Sequence, residues 1–223
     1  MANTKTIYHF ILDKSGSMKG SEKETINGFN TQLETLRGLE REFPDQQYIV
    51  SLTFFNNELY MPLQNGRIRQ VPNLDLRSYQ PDGGTALLDA IGKAIFDIKR
   101  DHKAEIDADK ASVVMVILTD GHENSSRFYS YHDIARMITE LDATGKWTFS
   151  FLGADLDAIH TAKMMNIRQE NVISFDKKDT RKVYGSIALS ISDFAEAKAN
   201  GRIKKDIFDT FKEKDLRSKP NQE

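Results

Sequence analysis

In Thr6-Ile7-Tyr8-His9-Phe10-Ile11-Leu12-Asp13-Lys14-Ser15-Gly16-Ser17 an apolar run ends abruptly in an acidic, hydroxyl-rich loop. A run this apolar on both faces reads as a buried central strand. The same handover recurs at Ser112–Leu118, followed by Thr119-Asp120-Gly121. A third polar segment, Gly83-Gly84-Thr85, opens a predicted helix. In an open α/β sheet the strand ends meet on one edge, and ligands bind there. Two carboxylates (Asp13, Asp120) and three hydroxyls (Ser15, Ser17, Thr85) on that edge suit a hard, oxygen-seeking dication such as Mg²⁺.

The chemistry of that set favours an outside ligand. Gly16 permits a tight bend, so alternate side chains of the first loop can turn to one side. Serine hydroxyls are neutral oxygen donors, and the aspartates hold charge near the ion directly or through water. Mg²⁺ takes six oxygens and readily keeps waters. Two carboxylates neutralise the ion without over-neutralising it, so an incoming carboxylate remains attracted.

Outward from these segments, strands alternate with helices. Strands are predicted at Ile7–Leu12, Tyr48–Phe55, Glu58–Leu63, Ser112–Leu118, Lys146–Leu152 and Val172–Phe175. Helices are predicted at Ser21–Arg41, Ala86–Arg100, Tyr131–Thr144, Leu156–Met165 and Arg181–Ala199. Ser21 with Glu24 predicts a capping box, and Ile26, Phe29, Asn30, Leu33, Leu36 and Leu39 mark the buried stripe of that helix. Asn56-Asn57 reads as a hairpin turn, which adds one antiparallel edge strand. The expected fold class is α/β: a doubly wound, mostly parallel sheet with helices on both faces. Residues 1–200 are assigned to this domain and 201–223 to a charged, helical extension whose Ile203, Ile207, Phe208 and Phe211 could dock on the domain or on a partner.

Composition removes several function classes. The 223 residues carry a net charge of −2, from 31 basic and 33 acidic side chains, which gives no basic face for nucleic acid. The absence of cysteine excludes disulfides, thiolate metal sites and cysteine nucleophiles. No apolar run approaches the length of a membrane span, and the start of the chain has no signal-peptide pattern, so a cytoplasmic protein is expected.

The three segments together resemble the von Willebrand factor type A (vWA) domain, a fold shared with integrin inserted domains. That family carries a metal-ion-dependent adhesion site (MIDAS) with the pattern Asp-x-Ser-x-Ser, then a distant Thr, then a distant Asp. Asp13, Ser15, Ser17, Thr85 and Asp120 meet it in full, within Ile-Leu-Asp-Lys-Ser-Gly-Ser-Met, Gly-Gly-Thr-Ala-Leu and Leu-Thr-Asp-Gly. The resemblance covers Thr4 to Ala199. It implies a doubly wound sheet, a Mg²⁺ or Mn²⁺ ion, and recognition of a partner protein's Asp or Glu. It further implies an intracellular adaptor, of a kind that can work in a complex with a separate ring ATPase.

Lys14, Gly84, His122 and Glu123 are the expected rim that meets the partner; for Glu123 the other reading is a loop residue ahead of a cap at Asn124, Ser125 or Ser126. Asp89 reads either as an acceptor behind the metal or as a first-turn helix residue. Two other functions compete. A metal-assisted phosphoester hydrolase would need a nucleophile or base that the motifs do not supply. A structural subunit would use its metal only for stability.

Overall fold

The computed structural model describes residues 5–120, 123–153, 156–174 and 190–197. Six strands form one sheet: β1 (Lys5–Asp13), β2 (Gln47–Phe55), β3 (Leu59–Arg67), β4 (Ala111–Thr119), β5 (Trp147–Gly153) and β6 (Val172–Ser174). Their order is β3-β2-β1-β4-β5-β6. Every pairing is parallel except β2 with β3. Four helices connect them: α1 (Glu22–Glu42), α2 (Leu87–Asp107), α3 (Tyr131–Ala143) and α4 (Leu156–Met164).

The alternation along β1 explains the layering. Tyr8, Phe10 and Leu12 pack into one core with Phe29, Leu33 and Leu36 of α1 and with Ile191 and Phe194. Ile7 and Ile11 enter a second core with Leu88, Ile91 and Ile95 of α2, Ile134 and Ile138 of α3, and Phe149 and Phe151 of β5. Both sheet faces are therefore buried, which is why β1 and β4 read as continuous apolar runs. The chain leaves β1 toward β2 on one side, whereas β4 leads to β5 on the other. The order reverses between β1 and β4, and this opens a crevice at their C-terminal ends.

Several local expectations change. Ser21 makes no side-chain cap on α1; the Glu22 carboxylate instead accepts from the Gly20 N–H at 2.8 Å. A full capping box stands at α3, where Ser130 and Asp133 cap each other's backbone. Neither Asn124 nor Ser125 or Ser126 caps that helix. Asn30, counted on the apolar stripe of α1, brackets Leu74 with both amide atoms at 2.8 and 3.0 Å, which ties down the turn-rich segment after β3. β3 runs on to Arg67, past the expected Leu63, because two irregularities let it keep pairing with β2 and Asn65 takes a left-handed φ of 54°. α2 continues to Asp107, past Arg100, with Ile106 still buried.

Residues 190–197 are helical, within the predicted Arg181–Ala199. The rest of that helix, Phe175 and the extension from 201 lie outside the described residues. Among the described residues no helix is long and apolar enough to cross a membrane.

Candidate metal centre

Asp13 is the last residue of β1 and Asp120 directly follows β4, so the two carboxylates flank the crevice where the strand order reverses. The loop after β1 folds back on itself. The Ser15 N–H donates to Asp13 Oδ1 at 2.7 Å, and Gly16–Met18 form a single 3₁₀ turn. That turn places Ser15 Oγ 3.0 Å from Ser17 Oγ, and Ser17 Oγ donates to Asp120 Oδ1 at 2.8 Å. Three oxygens from two strand ends thus form one hydrogen-bonded run, with successive spacings of 3.0 and 2.8 Å. Neighbouring oxygens around an octahedral Mg²⁺ at about 2.1 Å lie about 3.0 Å apart. The set fits a small hard dication on that spacing and on its chemistry, since every donor is an oxygen. Among the described residues no group of three or more acidic or histidine side chains could hold a metal, so hydroxyls must complete any such site.

Asp13 is fully buried. Its Oδ2 accepts from Thr119 Oγ1 at 2.5 Å, and its carbonyl accepts from the Tyr79 hydroxyl. Burial pushes its carboxyl up to about 6; the Ser15 and Thr119 hydrogen bonds pull it back, and the Asp120 charge adds to the rise. A buried carboxylate facing another carboxylate favours either a proton or a cation between them.

Thr85 reaches the same edge through its loop. The Gly16 N–H donates to the Gly83 carbonyl at 2.9 Å, which joins the first and second segments. Gly83 has φ +80°, and a Cβ there would stand 2.3 Å from Asn57 Oδ1. At Gly84 a Cβ would meet Ser125 Oγ at 2.3 Å. Gly84 therefore serves close approach between loops, as well as lying beside the rim.

The residues missed by the motif are those that lock the loops together. Asn57, from the β2–β3 turn, accepts from the Gly84 N–H at 2.6 Å and donates to Ser125 Oγ at 3.3 Å. Asn124 Oδ1 accepts from the Thr85 N–H at 2.9 Å, while the N–H groups of Asn124 and Ser125 donate to the Thr85 carbonyl at 3.1 and 3.2 Å. Glu123, expected at the partner-facing rim, turns inward. Its carboxylate accepts from the N–H groups of Leu88, Ser125 and Ser126 at 2.7–3.0 Å and from the Ser126 hydroxyl at 2.7 Å. Asp89 lies in the first turn of α2, as one of its two readings expected. It is buried and accepts from the N–H groups of Arg127, Phe128 and Tyr129 at 2.8–3.0 Å. Glu123 and Asp89 thereby tie residues 125–129 to the start of α2. Their charge also suits a helix N-terminus, where backbone N–H groups are unpaired.

Of the other rim residues, Lys14 is half-buried with its Nζ 5.6 Å from the centre of the Phe54 ring. His122 lies outside the described residues.

No family model matches the sequence, and no curated protein does either. Solved structures do match the fold. Proximal thread matrix protein 1 from the mussel byssus, in a form with a zinc-occupied MIDAS motif, aligns at 14% identity and TM-score 0.54, over 83% of this chain and 45% of that one. The manganese-loaded TRAP protein of Plasmodium vivax aligns at 15% identity and TM-score 0.55, over 82% and 73%. A von Willebrand factor type A protein from Catenulispora acidiphila aligns at 16% identity and TM-score 0.51, over 85% and 43%. The chain thus spans less than half the length of the mussel and Catenulispora structures. The sheet order, the helices on both faces and these likenesses agree: the chain has the doubly wound α/β fold of von Willebrand factor type A domains.

Proposed function

We propose that this protein is a metal-dependent protein-binding module that takes an acidic side chain of its partner at the crevice between β1 and β4. The observation that carries this is the run of oxygens Ser15 Oγ, Ser17 Oγ and Asp120 Oδ1, spaced 3.0 and 2.8 Å, which joins the two strand ends. Ser15, Ser17 and Thr85 would supply neutral donors, and Asp13 and Asp120 the charge. The bound dication, Mg²⁺ or Mn²⁺, would supply an open coordination position for a carboxylate. The zinc-occupied MIDAS of the mussel protein and the manganese of TRAP support a divalent ion in this fold.

The chain's own residues do the rest. The 3₁₀ turn orients the serines, Thr119 and the Ser15 N–H orient Asp13, and Asn124 holds the Thr85 backbone. Calorimetric titration of metal-stripped protein with Mg²⁺ and Mn²⁺ tests the site. Wild type should bind one ion, and a folded Asp13→Ala or Ser15→Ala variant should bind none. Equal binding by wild type and both variants would remove the proposal.

A further inference from the structure

We propose that Arg127 and Phe128 extend the metal-centred site, and that the partner segment is acidic with an apolar side chain a few residues from its metal-binding carboxylate. This rests on the carboxylate-binding reading above. Phe128 is 84% exposed, the most exposed large apolar side chain among the described residues. Isolated exposed apolar residues are ordinary. What sets this one apart is its backbone, held rigidly by a buried carboxylate. The N–H groups of Arg127, Phe128 and Tyr129 all end on Asp89. The Tyr129 ring beside them lies against Gly92, where a Cβ would come within 2.5–2.6 Å of the ring atoms.

The same loop is bonded to the metal-site threonine. Asn124 and Ser125 donate to the Thr85 carbonyl, four and three residues before Phe128. The Phe128 N–H is held by Asp89, four residues along α2 from Thr85, which puts its backbone about one helical turn from the threonine. Arg127 is exposed and forms no ion pair among the described residues. A cation and an aromatic side by side, on a fixed backbone beside a dication site, complement an acidic segment that carries an apolar residue. Preorganisation lowers the ordering cost of such a contact.

The test is an NMR titration of the Mg²⁺-loaded protein with capped peptides in which glutamate is followed, after one, two or three glycines, by leucine or by alanine. At one spacing the leucine peptide should bind wild type about three- to tenfold more tightly than its alanine counterpart, as expected for partial burial of a leucine. In Phe128→Ser that ratio should fall to about one, while Phe128→Leu should keep it. With a second glutamate placed after the leucine or alanine, Arg127→Gln should weaken both peptides alike, and unchanged affinity would remove Arg127 from the inference. Equal binding of leucine and alanine peptides to wild type overturns the inference but leaves the metal reading standing. If wild type binds Mg²⁺ and no peptide at any spacing, carboxylate recognition and this inference both fall. If Phe128→Ser also loses Mg²⁺, the residue acts through the metal centre and the inference falls.

Discussion

Two buried titratable residues on β1 oppose each other. Asp13 has its carboxyl raised to about 6, mainly by burial, so the fold prefers it protonated when no metal is bound. That preference stabilises the metal-free fold fully below pH 4 and is lost as pH rises through 6. His9 is lowered to about 4, again mainly by burial; its Nε2 meets Thr53 Oγ1 at 2.8 Å and its Nδ1 has no partner among the described residues. The fold prefers this imidazole neutral, so its contribution is present above pH 6.5 and lost as pH falls toward 4. Each of these displacements corresponds to about 3 kcal/mol. Asp13→Asn removes only the first. In chelator, this variant should be more stable than wild type at pH 7, by up to about 3 kcal/mol, and no more stable at pH 4. Thermal melts across that range check it. A variant less stable at pH 7 would mean that the two Asp13 hydrogen bonds outweigh its desolvation. The same substitution should abolish metal binding, so the site would gain stability by losing function.

At the scale of elements, the centre depends on how the loop after β4 is joined to the start of α2. Glu123 receives four donors and Asp89 three, across one junction. Replacing either carboxylate by its amide removes an acceptor oxygen from donors that cannot all turn to water. Glu123→Gln or Asp89→Asn should cost about 1–3 kcal/mol in urea unfolding. Because Glu123 ties the segment of Asp120 to that of Thr85, Glu123→Gln should also weaken Mg²⁺ binding in the folded state. Unchanged Mg²⁺ affinity in that variant would show that the two segments hold their places independently. Gly84→Ala should act by a different route. Its Cβ would push Ser125 Oγ away, 2.3 Å being far inside contact distance, and so separate the β2–β3 turn from the loop after β4. Weakened metal binding with a modest fall in melting temperature is the expected result.

For the molecule as a whole, the proposed metal would be coupled to folding, because its proposed donors come from segments more than 100 residues apart, Ser17 and Asp120. An unfolded chain cannot assemble them, so the ion binds the native state alone. At a concentration about 100 times its dissociation constant it should stabilise the fold by about 2.7 kcal/mol. Wild type should therefore melt higher in Mg²⁺ than in chelator, and Ser15→Ala should melt alike in both. A metal shift retained in Ser15→Ala would place the ion elsewhere.

The sequence by itself determined the fold class and the candidate ligands, because both are written in local order. A strand buried on two faces shows as an uninterrupted apolar run, as in Ser112–Leu118, and the helix faces show as a recurring three-to-four spacing. Asp13, Ser15 and Ser17 lie within one turn, and Thr85 and Asp120 each follow a recognisable handover. Only the tertiary structure decided what holds these residues in place. Asn57, Glu123 and Asn124 in turns and loops, and Asp89 in a helix's first turn, are ordinary polar residues in sequence, and such side chains satisfy whichever backbone donors the fold brings to them. Each has a partner 27 to 40 residues away along the chain. The same reason hid the absence of a cap at Ser21 and the bracket of Asn30 on Leu74. A hydrogen bond is satisfied by position in space, whereas hydrophobic periodicity is satisfied along the chain.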